Sequence, residues 1–92
     1  RFAKLYGLSI NLDDLEKIIL NTYSNIEIAI ITLDEKIIIF YNNKKMKTKI
    51  LKLLINKTNI NKDAFDLVCL NNISKLYNGK TDYEDLKNRY LS

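Results

Sequence analysis

Apolar residues recur along this chain with two different periods, and each run is short enough to be assigned to a single element. Residues 3 to 10 (AKLYGLSI) alternate apolar and polar around Gly7, which predicts two short extended pieces bent at the glycine, where positive φ meets no Cβ penalty. A helix is expected next. Asn11 is placed to cap it, Asp13 and Asp14 put negative charge at its positive end, and Leu12, Leu15, Ile18 and Ile19 form one apolar stripe through about Thr22. Glu16 reads, with these acids, as helix N-terminal charge. Ile26 to Leu33 (IEIAIITL) and Lys36 to Tyr41 (KIIIFY) are β-branched and aromatic, too short for good helices, and separated by Asp34-Glu35, so they read as a hairpin. Ile37 to Phe40 carries no polar residue on either face, which predicts a central strand covered on both sides.

From Lys45 to about Lys57, Ile50, Leu51, Leu54 and Ile55 recur at helical spacing opposite Lys45, Lys49 and Lys52, an amphipathic basic helix. Phe65 to Leu70 (FDLVCL) supplies another strand and Asn71 to Lys80 reads as loop. Thr81 with Glu84 fits a capping box for a last helix bearing Leu86 and Tyr90. The order β, α, β, β, α, β, α predicts an α+β fold: a small three-stranded sheet with flanking helices, preceded by a short two-stranded piece. No internal repeat or second domain boundary is visible, so residues 1–92 are expected to form one domain.

Composition removes several kinds of chemistry. The chain has no histidine, which excludes Ser-His-Asp and Cys-His nucleophile systems and the commonest metal ligand. Its one cysteine, Cys69, cannot form an internal disulfide and lies in an apolar run, so a buried inert thiol in a reducing, cytoplasmic setting is expected. No apolar run approaches the roughly 18 residues of a membrane span. Isoleucine (14), lysine (13) and asparagine (12) dominate and proline is absent, the bias of an A/T-rich coding sequence, so the net charge of +4 favours anionic partners only weakly. Arg1 and Arg89 are the only arginines and the six tyrosines are scattered, which argues against a nucleic-acid-reading surface.

The segment CLNNISKLYNGKTDYEDLK, residues 69 to 87, resembles the last core motif of the adenylate-forming superfamily. That superfamily contains acyl-CoA synthetases, aryl-CoA ligases and the adenylation domains of nonribosomal peptide synthetases. Its pattern is an apolar strand, a short loop, then N-G-K-x-D-y/r-x-x-L; Asn78, Gly79, Lys80, Asp82, Tyr83 and Leu86 occupy those places. Asn-Gly is a favoured turn and lysine abounds here, so the tripeptide needs a second landmark. The start, RFAKLYGLSINLDDLEKII, resembles the family's hinge-proximal motif, with Lys4, Gly7, Ile10, Leu15 and Glu16 in register. Ser9 stands where the family often has arginine, and Ser74 where the loop often has proline.

The resemblance spans the whole chain and implies the mobile C-terminal subdomain of an AMP-forming acid-thiol ligase, whose larger N-terminal domain is absent. A carboxylate attacks ATP to give acyl-AMP and pyrophosphate, and a thiol then takes the acyl group. It implies that Lys80 bridges the two anions as negative charge grows, with Asn78, Gly79 and Asp82 shaping its loop. Lys4, Gly7 and Ser9 would belong to the loop that replaces it in the thioester-forming half, where Gly7 lets a pantetheine arm pass. The implied partners are the enzyme's own N-terminal domain, a carboxylic acid, and coenzyme A or the phosphopantetheine of an acyl carrier protein. ATP and its Mg²⁺ are expected mainly on the missing domain, and no metal ligands are assigned here. Lys44, Lys45, Lys47, Lys49 and Lys52 read as a solvated face, with a phosphate or carrier-protein contact as the alternative. A competing reading of the whole chain is a small basic α+β module that binds RNA or another polyanion.

Overall fold

A computed structural model describes all 92 residues. Strands β1 (Phe2–Leu5) and β2 (Leu8–Asn11) form an antiparallel hairpin. Both turn residues have positive φ, 51° at Tyr6 and 79° at Gly7, which matches the right-handed twist of the flanking strands. Helix α1 (Leu12–Thr22) follows at once, and the Asn11 side chain accepts a hydrogen bond from the Asp14 amide as the cap. Leu12, Leu15 and Ile19 are its buried stripe.

Strands β3 (Ile28–Leu33) and β4 (Lys36–Tyr41) pair antiparallel through another turn with positive φ at both positions, 50° at Asp34 and 63° at Glu35. A turn at Lys44–Met46 leads into α2 (Lys47–Thr58), which ends on Asn59 in the left-handed conformation, its amide returning to the Ile55 carbonyl. Strand β5 (Phe65–Cys69) then pairs parallel with β4, and α3 (Tyr83–Leu91) closes the chain.

The sheet order is β3-β4-β5, so β4 is central. Its residues Ile37 to Tyr41 are buried on both faces, as their unbroken apolar run requires. Alternate side chains divide the core. Ile28, Ile30, Ile37, Ile39 and Tyr41 face α1, α2 and the hairpin residues Ala3 and Leu5. Ala29, Ile31, Ile38 and Phe40 face Ile73 and Leu86, with Tyr83 and Tyr90 packed alongside. The fold is therefore two helices and a hairpin on one side of the sheet, and α3 with its preceding loop on the other.

Two local expectations are corrected. The cap of α3 is Asp82, whose carboxylate accepts from the Asp85 amide at 3.0 Å, and not Thr81 paired with Glu84. Thr81 is already extended, bridged to Lys75, so the helix starts one residue later. Asp82→Ala is expected to lower stability by about 1 kcal/mol and Thr81→Ala by much less, as urea unfolding midpoints would show. Cys69, expected to be buried, is exposed. It ends an edge strand, beyond the cover of the flanking helices.

Candidate functional site

The segment from Ser74 to Asp82 is more ordered than its polar composition implies. The Asp82 amide donates to the Ser74 carbonyl, the Leu76 amide to the Lys80 carbonyl at 2.7 Å, and the Gly79 amide to the Leu76 carbonyl at 2.9 Å. These bonds make a narrow hairpin-like loop with its turn at Tyr77-Asn78. Gly79, at φ +87°, occupies the left-handed bulge that closes such turns, and a Cβ there would meet nothing within 4 Å. The glycine is therefore required by backbone conformation and not by crowding. Asn78 accepts a hydrogen bond from the Lys80 amide at 3.0 Å, which holds the backbone at the lysine. Lys80 itself is exposed, and its ammonium makes no ion pair or hydrogen bond within the chain. Tyr77 at the tip is fully exposed.

Lys4 and Ser9 face each other across the β1–β2 hairpin and Gly7 is in its turn, all three exposed. Phe2, Tyr6 and Leu8 add exposed apolar surface to the same hairpin. Gly7 also has no atom within 4 Å of a would-be Cβ, so its turn geometry is again what demands glycine. The structure thus gathers Asn78, Gly79, Lys80 and Asp82 in one loop and Lys4, Gly7 and Ser9 in another. Lysines 44, 45, 47, 49 and 52 lie apart from both and are exposed. Lys44 and Lys45, with Cys69 and several asparagines, line a polar hollow of about 390 Å³ beside the carboxyl ends of β4 and β5; neither Lys80 nor Gly7 reaches it.

The bases of the two loops meet at a polar cluster built on Glu16. Its carboxylate accepts from the Tyr83 hydroxyl at 2.9 and 3.1 Å, from the Ile30 amide at 2.9 Å, and from an Arg1 guanidinium nitrogen. Arg1 also donates to the Ile30 carbonyl and to Asp13, and lies 3.8 Å from the centre of the Tyr83 ring. Ile30 is in an edge strand, so one of its sides has no strand neighbour. Glu16 and Arg1 take up the outward amide and carbonyl as a paired strand would, and so cover an exposed edge. Only 15% of the Glu16 side chain remains accessible. Its expected role as charge at the helix N-terminus is therefore corrected: the first-turn acids are Asp13 and Asp14, and Glu16 is a largely covered carboxylate with three donors. A signal existed, since Glu16 lies four residues after Leu12 and three before Ile19, on the buried stripe itself.

The guanidinium of Arg1, by direct hydrogen bonding, holds the Asp13 carboxyl below the usual carboxylate range. Burial, and then the charge of Glu16, push the Tyr83 hydroxyl up to about 12. The folded state thereby prefers the neutral phenol. This contribution to stability is complete below pH 10, the ordinary tyrosine value, and disappears as pH rises toward 12. Stability measured by urea unfolding with circular dichroism should fall as pH rises over that window, and Tyr83→Phe should flatten the slope. An unchanged slope would remove Tyr83 from the cluster's electrostatics.

No protein-family model matches this chain, and no curated protein matches it either.

Proposed function

We propose that this chain is the mobile C-terminal subdomain of an AMP-forming, ATP-dependent acyl-activating ligase, in which Lys80 serves acyl-adenylate formation. The observation that carries the reading is Lys80 itself: an unpartnered ammonium on an ordered loop pinned by three backbone hydrogen bonds and by Asn78, its backbone turned by Gly79. An ammonium that pairs with nothing in its own domain loses no interaction when it engages a ligand. The ordered loop fixes the backbone from which the ammonium is presented.

In the first half-reaction a carboxylate oxygen bonds to the α-phosphorus of ATP as the bond to pyrophosphate breaks. Two anions are brought together, and a compact cation between them stabilises the charge that builds on the phosphoryl oxygens. Lys80 supplies that cation, with Mg²⁺ and the nucleotide held by the larger N-terminal domain. In the second half the hairpin loop of Lys4, Gly7 and Ser9 replaces it, and a thiol of coenzyme A or of a carrier protein's phosphopantetheine attacks the acyl carbon and expels AMP. Both loops lie on exposed surface, and the chain's one hollow is elsewhere, so the substrates would be enclosed by the second domain. No helix is long and apolar enough to cross a membrane. An exposed, unpaired Cys69 fits a reducing compartment such as the cytoplasm.

The gene offers the first test. A G-R-x-D stretch immediately before Arg1 and a T-S-G-T-T-G-x-P-K-like loop several hundred codons upstream are expected; an initiator Met a few codons before Arg1 would overturn the reading. Steeply salt-dependent binding of this chain to RNA would favour the alternative polyanion-binding module.

A further inference from the structure

We infer that Glu16, Arg1 and Tyr83 clamp the Gly7 hairpin and the Lys80 loop into one rigid body, which makes Glu16 and Tyr83 positioning residues for both loops. What the loops do rests on the function proposed above; the clamp stands on geometry.

Four segments meet in it. Arg1 precedes β1, and its carbonyl accepts from the Leu12 amide at 2.9 Å, which closes the base of the hairpin against α1. Glu16 is in α1, Ile30 in β3, and Tyr83 opens α3. Helix α1 covers one face of the sheet and α3 the other. The clamp passes round the open edge of β3 and joins the two layers there, between residues 67 apart in sequence. Elsewhere α3 is held by the apolar contacts of Leu86 and Tyr90 and, at the other edge of the sheet, by the Tyr90 hydroxyl, which donates to Asp66 in β5. The Tyr83 hydroxyl, held by both Glu16 oxygens beneath a stacked guanidinium, is directional and does not slide. Lys80 lies three residues before Tyr83, with the Asp82–Ser74 bond between them, so the backbone that carries the ammonium follows the α3 start. A subdomain that presents two loops in turn to one site needs both in a fixed relation, because a shift of about 1 Å costs on the order of a hundredfold in rate.

Tyr83→Phe removes the hydroxyl and keeps the ring under Arg1. In this chain, amide hydrogen exchange at Ile30, in residues 76–82 and near Leu12 is expected to accelerate together by roughly tenfold or more, while α2 is unchanged. Acceleration confined to the start of α3 would overturn the clamp. Glu16→Gln keeps the shape and removes the charge, and a double-mutant cycle with Tyr83→Phe should be strongly non-additive; additive effects would equally overturn it. In the whole enzyme, Tyr83→Phe is expected to lower kcat of adenylation about tenfold with KM for ATP within about twofold, and to slow thioester formation as well. Loss of one half-reaction alone would refute a shared clamp. The two readings fail separately. If Lys80→Ala is inert while the exchange coupling is present, the functional reading falls and the clamp remains. If Lys80→Ala abolishes exchange of pyrophosphate while Tyr83→Phe changes neither kinetics nor amide exchange, the clamp falls alone.

Discussion

On the function proposed above, replacing Lys80 with alanine in the full-length protein is expected to depress carboxylate-dependent exchange of pyrophosphate into ATP by roughly 10²–10³-fold. Thiol transfer from preformed acyl-AMP should change far less, since the hairpin loop and not Lys80 would then face the site. The structure makes this loss interpretable. The Lys80 side chain is exposed and bonds to nothing in the chain, so its truncation should alter folding stability by less than about 0.5 kcal/mol. A fall in rate without a fall in the unfolding midpoint would therefore report the missing ammonium. Lys80→Arg keeps the charge but replaces a compact cation by a planar fork, and should recover only part of the rate. Exchange at the parental rate in Lys80→Ala would remove this residue from the mechanism.

The largest effect on folding is expected from Phe40→Ala, at about 3–5 kcal/mol. Phe40 is 1% exposed on the central strand, and its ring meets that of Tyr90 edge to face with centroids 6.4 Å apart. The layer it faces is thin, with Ile73 and Leu86 as the only other fully covered residues outside the sheet. Little material is available to collapse into the space a truncated ring leaves, which places the cost toward the upper end of the range. A domain of this length holds about 5–14 kcal/mol in total, so the variant should lose a large fraction of its stability and unfold at a much lower urea concentration. Urea denaturation with tyrosine fluorescence would measure it. A loss below about 1 kcal/mol would mean that the α3 layer does not seal the sheet.

The elements were legible because each is set by short-range pattern. The stripe of α1, the two hairpins, the doubly covered β4 and the basic face of α2 follow from which residues alternate and with what period. The turns at Tyr6-Gly7 and Asp34-Glu35 fall where the apolar runs break. The Lys80 loop was visible as a polar interval with an Asn-Gly turn, but not as an ordered hairpin, because its bonds link backbone groups that carry no side-chain signature. The Thr81 cap was misplaced by one residue for a similar reason: a bridge to Lys75 takes Thr81 before the helix can use it.

By itself the amino-acid pattern determined the α+β class, the order of the elements, the burial of β4 and the glycine turns that expose Lys80 and Gly7, since these depend on neighbours a few positions apart. Only the tertiary structure decided that Glu16 is a largely covered hub and not helix N-terminal charge, that Cys69 ends an exposed edge, and that Arg1, Ile30 and Tyr83 converge on Glu16. Those outcomes depend on groups 14 to 82 residues apart. A carboxylate shows the same letter whether it faces water or three donors, so its partners could be known only once the sheet edge and both helices had been brought together around it.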